Sequence, residues 1–183
     1  VLAGYEQGYD RQGKPDEVLL NDAVALAKKD AVDVVLAVVG LDERSESEGL
    51  DRSTMAIPQA QNDLVTALAK TGKPVVIVLV AGSPVELPWF DDVAAMLYVG
   101  LSGQAGASAT VRALTGEVNP SGHLAETWPK RYEDCPSFGW YPAIGRDAIY
   151  REGPFVGYRY YETVGVPVCF PFGYGLSYST FTY

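Results

Sequence analysis

Seven charged side chains in one short segment have types that could perform acid–base chemistry. The segment holds five carboxylates and two arginines: Asp42, Glu43, Arg44, Glu46, Glu48, Asp51 and Arg52. A pair of carboxylates can cleave a glycosidic bond, with one group acting as proton donor and the other as nucleophile. A charge run is more often a solvated loop. Here Gly49 follows Glu48, and glycine allows a backbone conformation that aims a neighbouring side chain.

The elements around this segment support the interpretation as a site. Val32 to Val39 is an almost unbroken Val-rich run, which predicts a strand buried on both faces of a parallel sheet. Ligands of open α/β sheets bind beyond the carboxyl ends of the strands. The charged segment leaves the predicted strand at that end, so its position is where a site is expected.

Strands and helices are predicted to alternate along the first two thirds of the chain. Helices are expected over 16–29, 59–70 and 103–114, and further strands over 75–80 and 93–99. This alternation predicts an α/β fold, a three-layer sandwich with a mostly parallel sheet and helices on both faces. After about residue 129 the chain is rich in Tyr, Gly and Pro, which predicts long C-terminal loops with short strands near 124–127 and 156–161.

Composition narrows the classes of function. The chain has 183 residues, of which 48% are hydrophobic, enough for one core, so residues 1–183 are expected to form a single domain. The net charge of −9 argues against a nucleic-acid partner. The longest apolar runs are too short for a membrane span. Two cysteines and one histidine offer no metal-ligand spacing, and no glycine-rich nucleotide motif follows a strand, so neither metal nor cofactor is expected.

Six motifs in the same order resemble those of family 3 glycoside hydrolases. They cover most of the chain from Val32 onward: Ser47–Arg52, Gly82–Glu86 with Pro88–Trp89, Gly103–Gln104, Asn119–Leu124 with Thr127 and Pro129, Glu152–Tyr161, and Phe170–Tyr178. The resemblance implies the second, α/β sandwich domain of a retaining β-glycosidase. In this family a (β/α)8 barrel of the same protein contributes an Asp nucleophile, and the sandwich domain lends a Glu as general acid/base.

By motif position the acid/base is Glu48, with Gly49, Asp51 and Arg52 shaping its loop; Glu46 is the alternative donor if the register differs. Asp51 and Arg52 are expected to pair. The implied activity is β-glucosidase, hydrolysing terminal non-reducing β-D-glucosyl residues; β-xylosidase and exo-glucanase specificities remain open. The chain starts without Met and ends after an aromatic run. We therefore expect a fragment, inactive alone, that lacks the barrel and the first strand–helix unit of the sandwich.

Several alternatives stay open beside this interpretation. A non-catalytic α/β module is the main rival, and a nucleotide- or flavin-binding domain is a weaker one. The sequence assigns neither a compartment nor an oligomeric state, so a homo-oligomer also stays open.

Four positions depart from the family pattern, namely Leu50, Ala105, His123 and Ala125. Trp89 and His123 are expected to be structural, whereas Trp128 and Trp140 could serve either packing or a ligand pocket.

Overall fold

The chain forms four α-helices and five strands within the residues that the structure describes. The structure is a computed structural model and describes residues 1–143 and 145–182. The elements in chain order are α1 (Glu17–Ala27), β1 (Val35–Gly40), α2 (Gln59–Ala69), β2 (Val75–Val80), β3 (Ala95–Tyr98), α3 (Gly106–Leu114), β4 (Trp128–Pro129), α4 (Tyr158–Val164) and β5 (Val168–Phe170). They fall into two compact units, Val1–Arg52 with Ala56–Leu101, and Ser53–Met55 with Ser102–Tyr183.

A parallel three-stranded sheet is the centre of the first unit. The strand order is β1-β2-β3, with Val35 opposite Val75 and Val76 opposite Ala95. The middle strand is buried, and Ile77 and Leu79 have no exposed surface. The predicted strand over 75–80 is confirmed with the same bounds. The sheet and its helices confirm the predicted α/β fold class with a parallel sheet.

Helices α1 and α2 begin and end close to their predicted bounds. The side chain of Asp16 accepts hydrogen bonds from the backbone N–H groups of Val18 and Leu19, which caps the first turn of α1. Pro58 precedes α2, where its fixed φ suits a helix start. The two helices pack against each other, and α2 contacts β1. No helix in the described part of the chain is both long and apolar enough to cross a bilayer.

Strand β1 is buried on one face only, so the prediction of burial on both faces is wrong for this strand. Ala37 and Val39 are 5% and 2% exposed, whereas the alternating Leu36 and Val38 are 51% and 54% exposed. The physical reason is that the described residues cover only the face of β1 that carries Ala37 and Val39, and a Val-rich run does not reveal whether both faces of a strand are covered. The prediction holds for β2.

The second unit consists mostly of loops, as predicted from its Tyr, Gly and Pro content. Its two-stranded antiparallel sheet pairs Trp128 of β4 with Phe170 of β5. The strand predicted near 124–127 is wrong, because the chain becomes extended and paired only at Trp128–Pro129. The predicted strand near 156–161 is wrong, because Tyr158–Val164 is helical. Gly157 before the helix and Gly165 after it both take positive φ, and Gly165 ends α4 in the left-handed conformation that helices favour at this position.

Two residues that were expected to be structural are confirmed as such. Trp89 is 1% exposed, and its indole N–H donates to the Asn62 side chain at 2.8 Å. His123 Nδ1 lies 2.7 Å from the carbonyl oxygen of Gly173 and fixes a turn. Trp128 is also 1% exposed, so it belongs to the core. Trp140 remains 42% exposed, with the guanidinium of Arg151 stacked 3.4 Å above its ring.

Candidate functional site

The charged loop leaves the sheet from a fixed point at the end of β1. The backbone N–H of Gly40 donates to the side-chain oxygen of buried Gln61 at 2.7 Å. One residue later, the N–H of Leu41 donates to the carbonyl oxygen of Val80 at 2.8 Å. Since β1 and β2 are parallel, both strands end at the same edge of the sheet. The loop therefore starts where the sequence argument placed a ligand site.

Asp42 folds the first part of the loop into a tight turn. Its carboxylate accepts hydrogen bonds from the backbone N–H groups of Arg44 and Ser45, at 3.1 and 3.2 Å. Its carbonyl oxygen accepts from the N–H of Glu46 at 2.9 Å. Aspartate favours such turns because its short side chain reaches its own backbone. Asp42 is therefore a turn-forming residue.

Glu46 and Arg52 flank segment 47–51, and their side chains bond both ends of this segment to the turn that follows β2. A carboxylate oxygen of Glu46 accepts from the backbone N–H of Gly82 at 2.7 Å. Arg52 donates to the Ser83 hydroxyl at 2.8 Å and to the Pro84 carbonyl at 3.3 Å. Burial lowers the pKa of Arg52, and the charge of Glu46 partly offsets this shift. A charge-assisted hydrogen bond of this length is among the stronger ones in proteins.

Arg52 is bonded to this turn, whereas its pairing with Asp51, expected from the sequence, stays a prediction. The loop-shaping role of Arg52 is thus exerted on Ser83 and Pro84, 31 and 32 residues further along the chain. One further nitrogen of its guanidinium, Nη2, is buried and has no hydrogen-bond partner within the described ranges. Asp51 itself is exposed.

Glu48 lies at the tip of the loop, in a tight turn between the two fastened residues. Ser47 and Leu50 form an antiparallel bridge, and the Leu50 N–H donates to the Ser47 carbonyl at 3.2 Å. Gly49 has a φ of +80°, the value that a type II turn requires at its third position. This places Glu48 at the second position, with an exposed side chain.

The two candidate donors differ in what their carboxylates do. Glu46 is half-buried and bound to a backbone N–H, so it has a structural task. Glu48 makes no hydrogen bond or ion pair to any residue in 1–143 or 145–182, and its carboxylate is directed to solvent. A group that transfers a proton to an incoming molecule must be able to reach it. This contrast favours Glu48 over Glu46.

A cleft of about 320 Å³ lies beside the loop at the carboxyl end of β1. Its lining includes loop residues and a stretch near the N-terminus: Tyr9, Asp10, Arg11, Gln12, Gly13, Val38, Val39, Gly40, Leu41, Asp42, Arg44, Ser45, Pro58, Gln61 and Val80. Glu48 does not line this cleft. Within the described residues, no group of three or more His, Cys, Asp or Glu side chains is arranged to hold a metal ion.

The Glu46–Gly82 bond provides a test of how the loop is held. In Glu46→Ala the Gly82 N–H loses its acceptor, so its exchange with deuterium should accelerate by about tenfold, the effect of a hydrogen bond to a charged group. Amide exchange followed by NMR measures this rate. Glu48→Ala is the matched control, because it removes the same group without touching Gly82. Unchanged Gly82 exchange in Glu46→Ala would show that the bond does not hold the loop.

Comparison with known proteins settles the family. The model of the glycosyl hydrolase family 3 C-terminal domain matches residues 11–178, nearly the whole chain. The chain belongs to this family. The family 3 domain is 47% identical over 180 residues to thermostable beta-glucosidase B of Acetivibrio thermocellus, and the match covers 98% of this chain and 24% of that protein. It is 42% identical to an exo-alpha-(1->6)-L-arabinopyranosidase of Bifidobacterium breve, covering 99% of this chain and 24% of that protein.

Solved structures show the same relationship. The beta-glucosidase of Kluyveromyces marxianus in complex with glucose superposes with a TM-score of 0.87 at 40% identity, over 91% of this chain and 20% of that one. The family 3 beta-glucosidase of Bifidobacterium adolescentis gives a TM-score of 0.89 at 44% identity, over 94% of this chain and 26% of that one. The family 3 domain therefore spans about a quarter of the length of the relatives that it matches.

One feature of the site was missed at the level of sequence. The Gly82–Pro84 turn was recognised only as a motif, yet it provides the bonding partners of both Glu46 and Arg52. When two polar residues are this far apart in the sequence, no local pattern predicts that they will contact each other. The available hint was the order of the motifs, because two loops that follow adjacent parallel strands meet at one edge of the sheet.

Proposed function

We propose that this domain supplies Glu48 as the general acid/base of a retaining β-glycosidase. The nucleophile is an Asp of a (β/α)8 barrel domain in the same full-length protein, outside these 183 residues. The observation that carries the proposal is the position of Glu48, exposed at the tip of a loop that is fastened on both sides. The loop brings one unengaged carboxylate to the sheet edge where α/β proteins bind their ligands.

In this mechanism Glu48 acts twice on each substrate molecule. It first donates its proton to the glycosidic oxygen while the barrel Asp attacks the anomeric carbon, so the leaving group departs as a neutral alcohol. Glu48, now a carboxylate, then takes a proton from water as that water displaces the Asp from the sugar. Two inversions give net retention. The two carboxyl groups are expected about 5–5.5 Å apart in the full-length enzyme.

The proposed substrate is a terminal, non-reducing β-D-glucosyl residue. Family membership and the names of several relatives, thermostable beta-glucosidase B among them, support this choice. The Bifidobacterium breve relative acts on a different sugar by its name, so the domain alone does not select the substrate. The β-xylosidase and exo-glucanase specificities therefore remain alternatives. We expect the chain by itself to be inactive, since the proposed nucleophile belongs to the barrel domain.

Azide rescue of Glu48→Ala in the full-length enzyme tests the proposal. The variant should lose most of its activity on an aryl β-glucoside. Azide should restore turnover and yield a β-glucosyl azide, because this nucleophile needs no base to attack the glycosyl-enzyme and fits the space left by the side chain. Product analysis by ¹H NMR identifies the azide and its anomeric configuration. Glu46→Ala is the control and should give no azide product.

A non-catalytic module is the second candidate and makes the opposite prediction. On that view the Glu48→Ala full-length protein keeps the activity of the parent, or the parent has none. Full activity of Glu48→Ala with no azide product would overturn the acid/base assignment while leaving family membership unaffected.

A further inference from the structure

The cleft at the carboxyl end of β1 also borders the start of helix α2. This cleft, here named the β1 cleft, has a volume of about 320 Å³, which is at the lower end of the range for small-molecule sites. Pro58, which precedes α2, and Gln61 in the first turn of α2 both line it, whereas Glu48 does not. The β1 cleft is therefore separate from the proposed acid/base and lies where open α/β sheets bind ligands.

The start of α2 presents backbone N–H groups that have no acceptor. The N–H groups of Gln59 and Ala60 donate to none of the described residues. The Gln59 side chain donates to Asp63 at 2.8 Å, so it does not fold back over the helix start. No side chain caps α2, and its first turn holds no acidic residue, whereas Asp16 caps α1. The positive end of the α2 dipole is therefore uncompensated, and such a helix start attracts anions.

A buried side-chain amide adds a second, independent donor at the same place. Gln61 is 6% exposed, and its Oε1 accepts the Gly40 N–H at 2.7 Å. This bond fixes which end of the amide is oxygen, so Nε2 is the end that is left to donate. Nε2 donates to none of the described residues, although the side chain lines the β1 cleft. Because an unpaired buried donor costs free energy, an acceptor bound in the cleft would stabilise this amide.

One cation at the β1 cleft is free to bind a ligand. The charged residues of the lining are two arginines and two aspartates, namely Arg11, Arg44, Asp10 and Asp42. Both aspartates accept backbone N–H groups of their own loops, which occupies part of their bonding capacity. Arg11 lies 3.9 Å from the carboxylate of Glu43. The guanidinium of Arg44 makes no hydrogen bond or ion pair within 1–143 and 145–182, so it can donate to a bound group together with Gln61.

We propose that the β1 cleft binds a small oxyanion, either a carboxylate or a phosphate. The oxygens of the ligand accept hydrogen bonds from Gln61 Nε2, from the first N–H groups of α2 and from the guanidinium of Arg44. A ligand of this kind supplies only acceptors, which is what the unpaired donors require. The bound oxyanion would connect the first part of the 41–52 loop to α2. The site needs neither Glu48 nor a nucleophile, so failure of the Glu48 assignment leaves this proposal intact.

Titration of the ¹⁵N-labelled chain with phosphate, followed by amide shifts in NMR spectra, tests the site. Sodium chloride keeps the ionic strength constant. Saturable shifts should appear at residues 40–46 and 59–61 and at the side-chain amide of Gln61. The dissociation constant should be in the millimolar range, because the net charge of −9 opposes any anion. A second titration with acetate shows whether a carboxylate or a phosphate binds more tightly. Glycerol, which is neutral, should give no saturable shifts.

Gln61→Glu is the most informative variant, because it keeps an oxygen for the Gly40 N–H and replaces the free donor by a repelling carboxylate. Phosphate binding should weaken by more than about tenfold, the effect of a hydrogen bond to a charged group. The matched control is Gln104→Glu, which adds the same charge at an exposed position of the other compact unit and should bind like the parent. Arg44→Gln changes an exposed side chain without contacts in the fold and should weaken binding by about tenfold.

Hydrogen-exchange mass spectrometry of the full-length enzyme repeats the test where the chain alone does not fold. Phosphate in place of chloride at equal ionic strength should protect residues 40–46 and 58–64. Three outcomes overturn the proposal: no saturable shifts or protection, equal phosphate binding by Gln61→Glu and Gln104→Glu, or binding of glycerol as tight as that of phosphate.

Discussion

Glu48→Gln in the full-length enzyme is expected to lower kcat/KM for methyl β-glucoside by about 10²–10⁴-fold. The loss for dinitrophenyl β-glucoside should be far smaller. An alkoxide is a poor leaving group and needs a proton in the transition state, whereas dinitrophenolate departs unaided. Glutamine has the shape of glutamate and donates no acidic proton, so the variant isolates proton transfer. Steady-state kinetics with the two substrates measures the difference, because kcat/KM reports the first, glycosylation step.

Glu46→Gln is the control for this experiment. The amide oxygen of glutamine can still accept the Gly82 N–H, so the loop keeps its main fastening. Any loss should be modest and equal for both substrates, since a displaced loop affects both alike. If Glu48→Gln slowed both substrates equally, or if Glu46→Gln showed the leaving-group dependence instead, Glu48 would not be the proton donor.

Gly40→Ala is expected to destabilise the domain by more than about 4 kcal/mol, an exceptional loss for one methyl group. Gly40 has a φ of +148°, and an added Cβ would collide with the backbone carbonyl of Val80 on the neighbouring strand. A backbone atom of the middle strand cannot move aside as a flexible side chain can. Relieving the clash would break the hydrogen bonds that Gly40 and Leu41 make at the start of the loop. Urea unfolding followed by circular dichroism measures the change in free energy.

Gly72→Ala is the matched control for the glycine experiment. Gly72 also has positive φ, +81°, but an added Cβ there meets no atom within 4 Å. The expected loss of stability in Gly72→Ala is therefore only the backbone strain of an alanine in the left-handed conformation, about 1–2 kcal/mol. A similar loss in both variants would mean that the close approach between β1 and Val80 does not limit the stability of the sheet.

The parts of the fold that were predictable have strong local signals. Val75–Val80 combines a continuous apolar run with Gly72 and Pro74 before it and Gly82 after it, so both its type and its ends were clear. Helix α4 was missed because tyrosines favour strands on average. Its flanking glycines, Gly157 and Gly165, were the better signal. The one-sided burial of β1 could not be predicted either, because which elements pack on each face of a strand is a property of the whole fold.

The candidate site was predictable as a loop and a glutamate but not as a set of contacts. Glu48 was chosen by its place in a motif beside Gly49, and its role stays a prediction; the structure shows the two residues in one tight turn. The fastening of Glu46 to Gly82 depends on two loops meeting in space, which no local pattern reports. A cleft beside helix α4 was missed for the same reason, since Thr127 and Phe172 in its lining come together only in the folded second unit.

The bonds of Glu46 and Arg52 to the turn after β2 make residues 47–51 a segment that can be exchanged as a unit. Glu46 and Arg52 both hold to Gly82–Pro84, so the ends of the intervening segment stay together whatever its composition. Closing a longer loop costs little additional entropy, since the cost grows only with the logarithm of length. Loop grafting from relatives could therefore vary the reach of the tip by a residue or two without rebuilding the sheet beneath it.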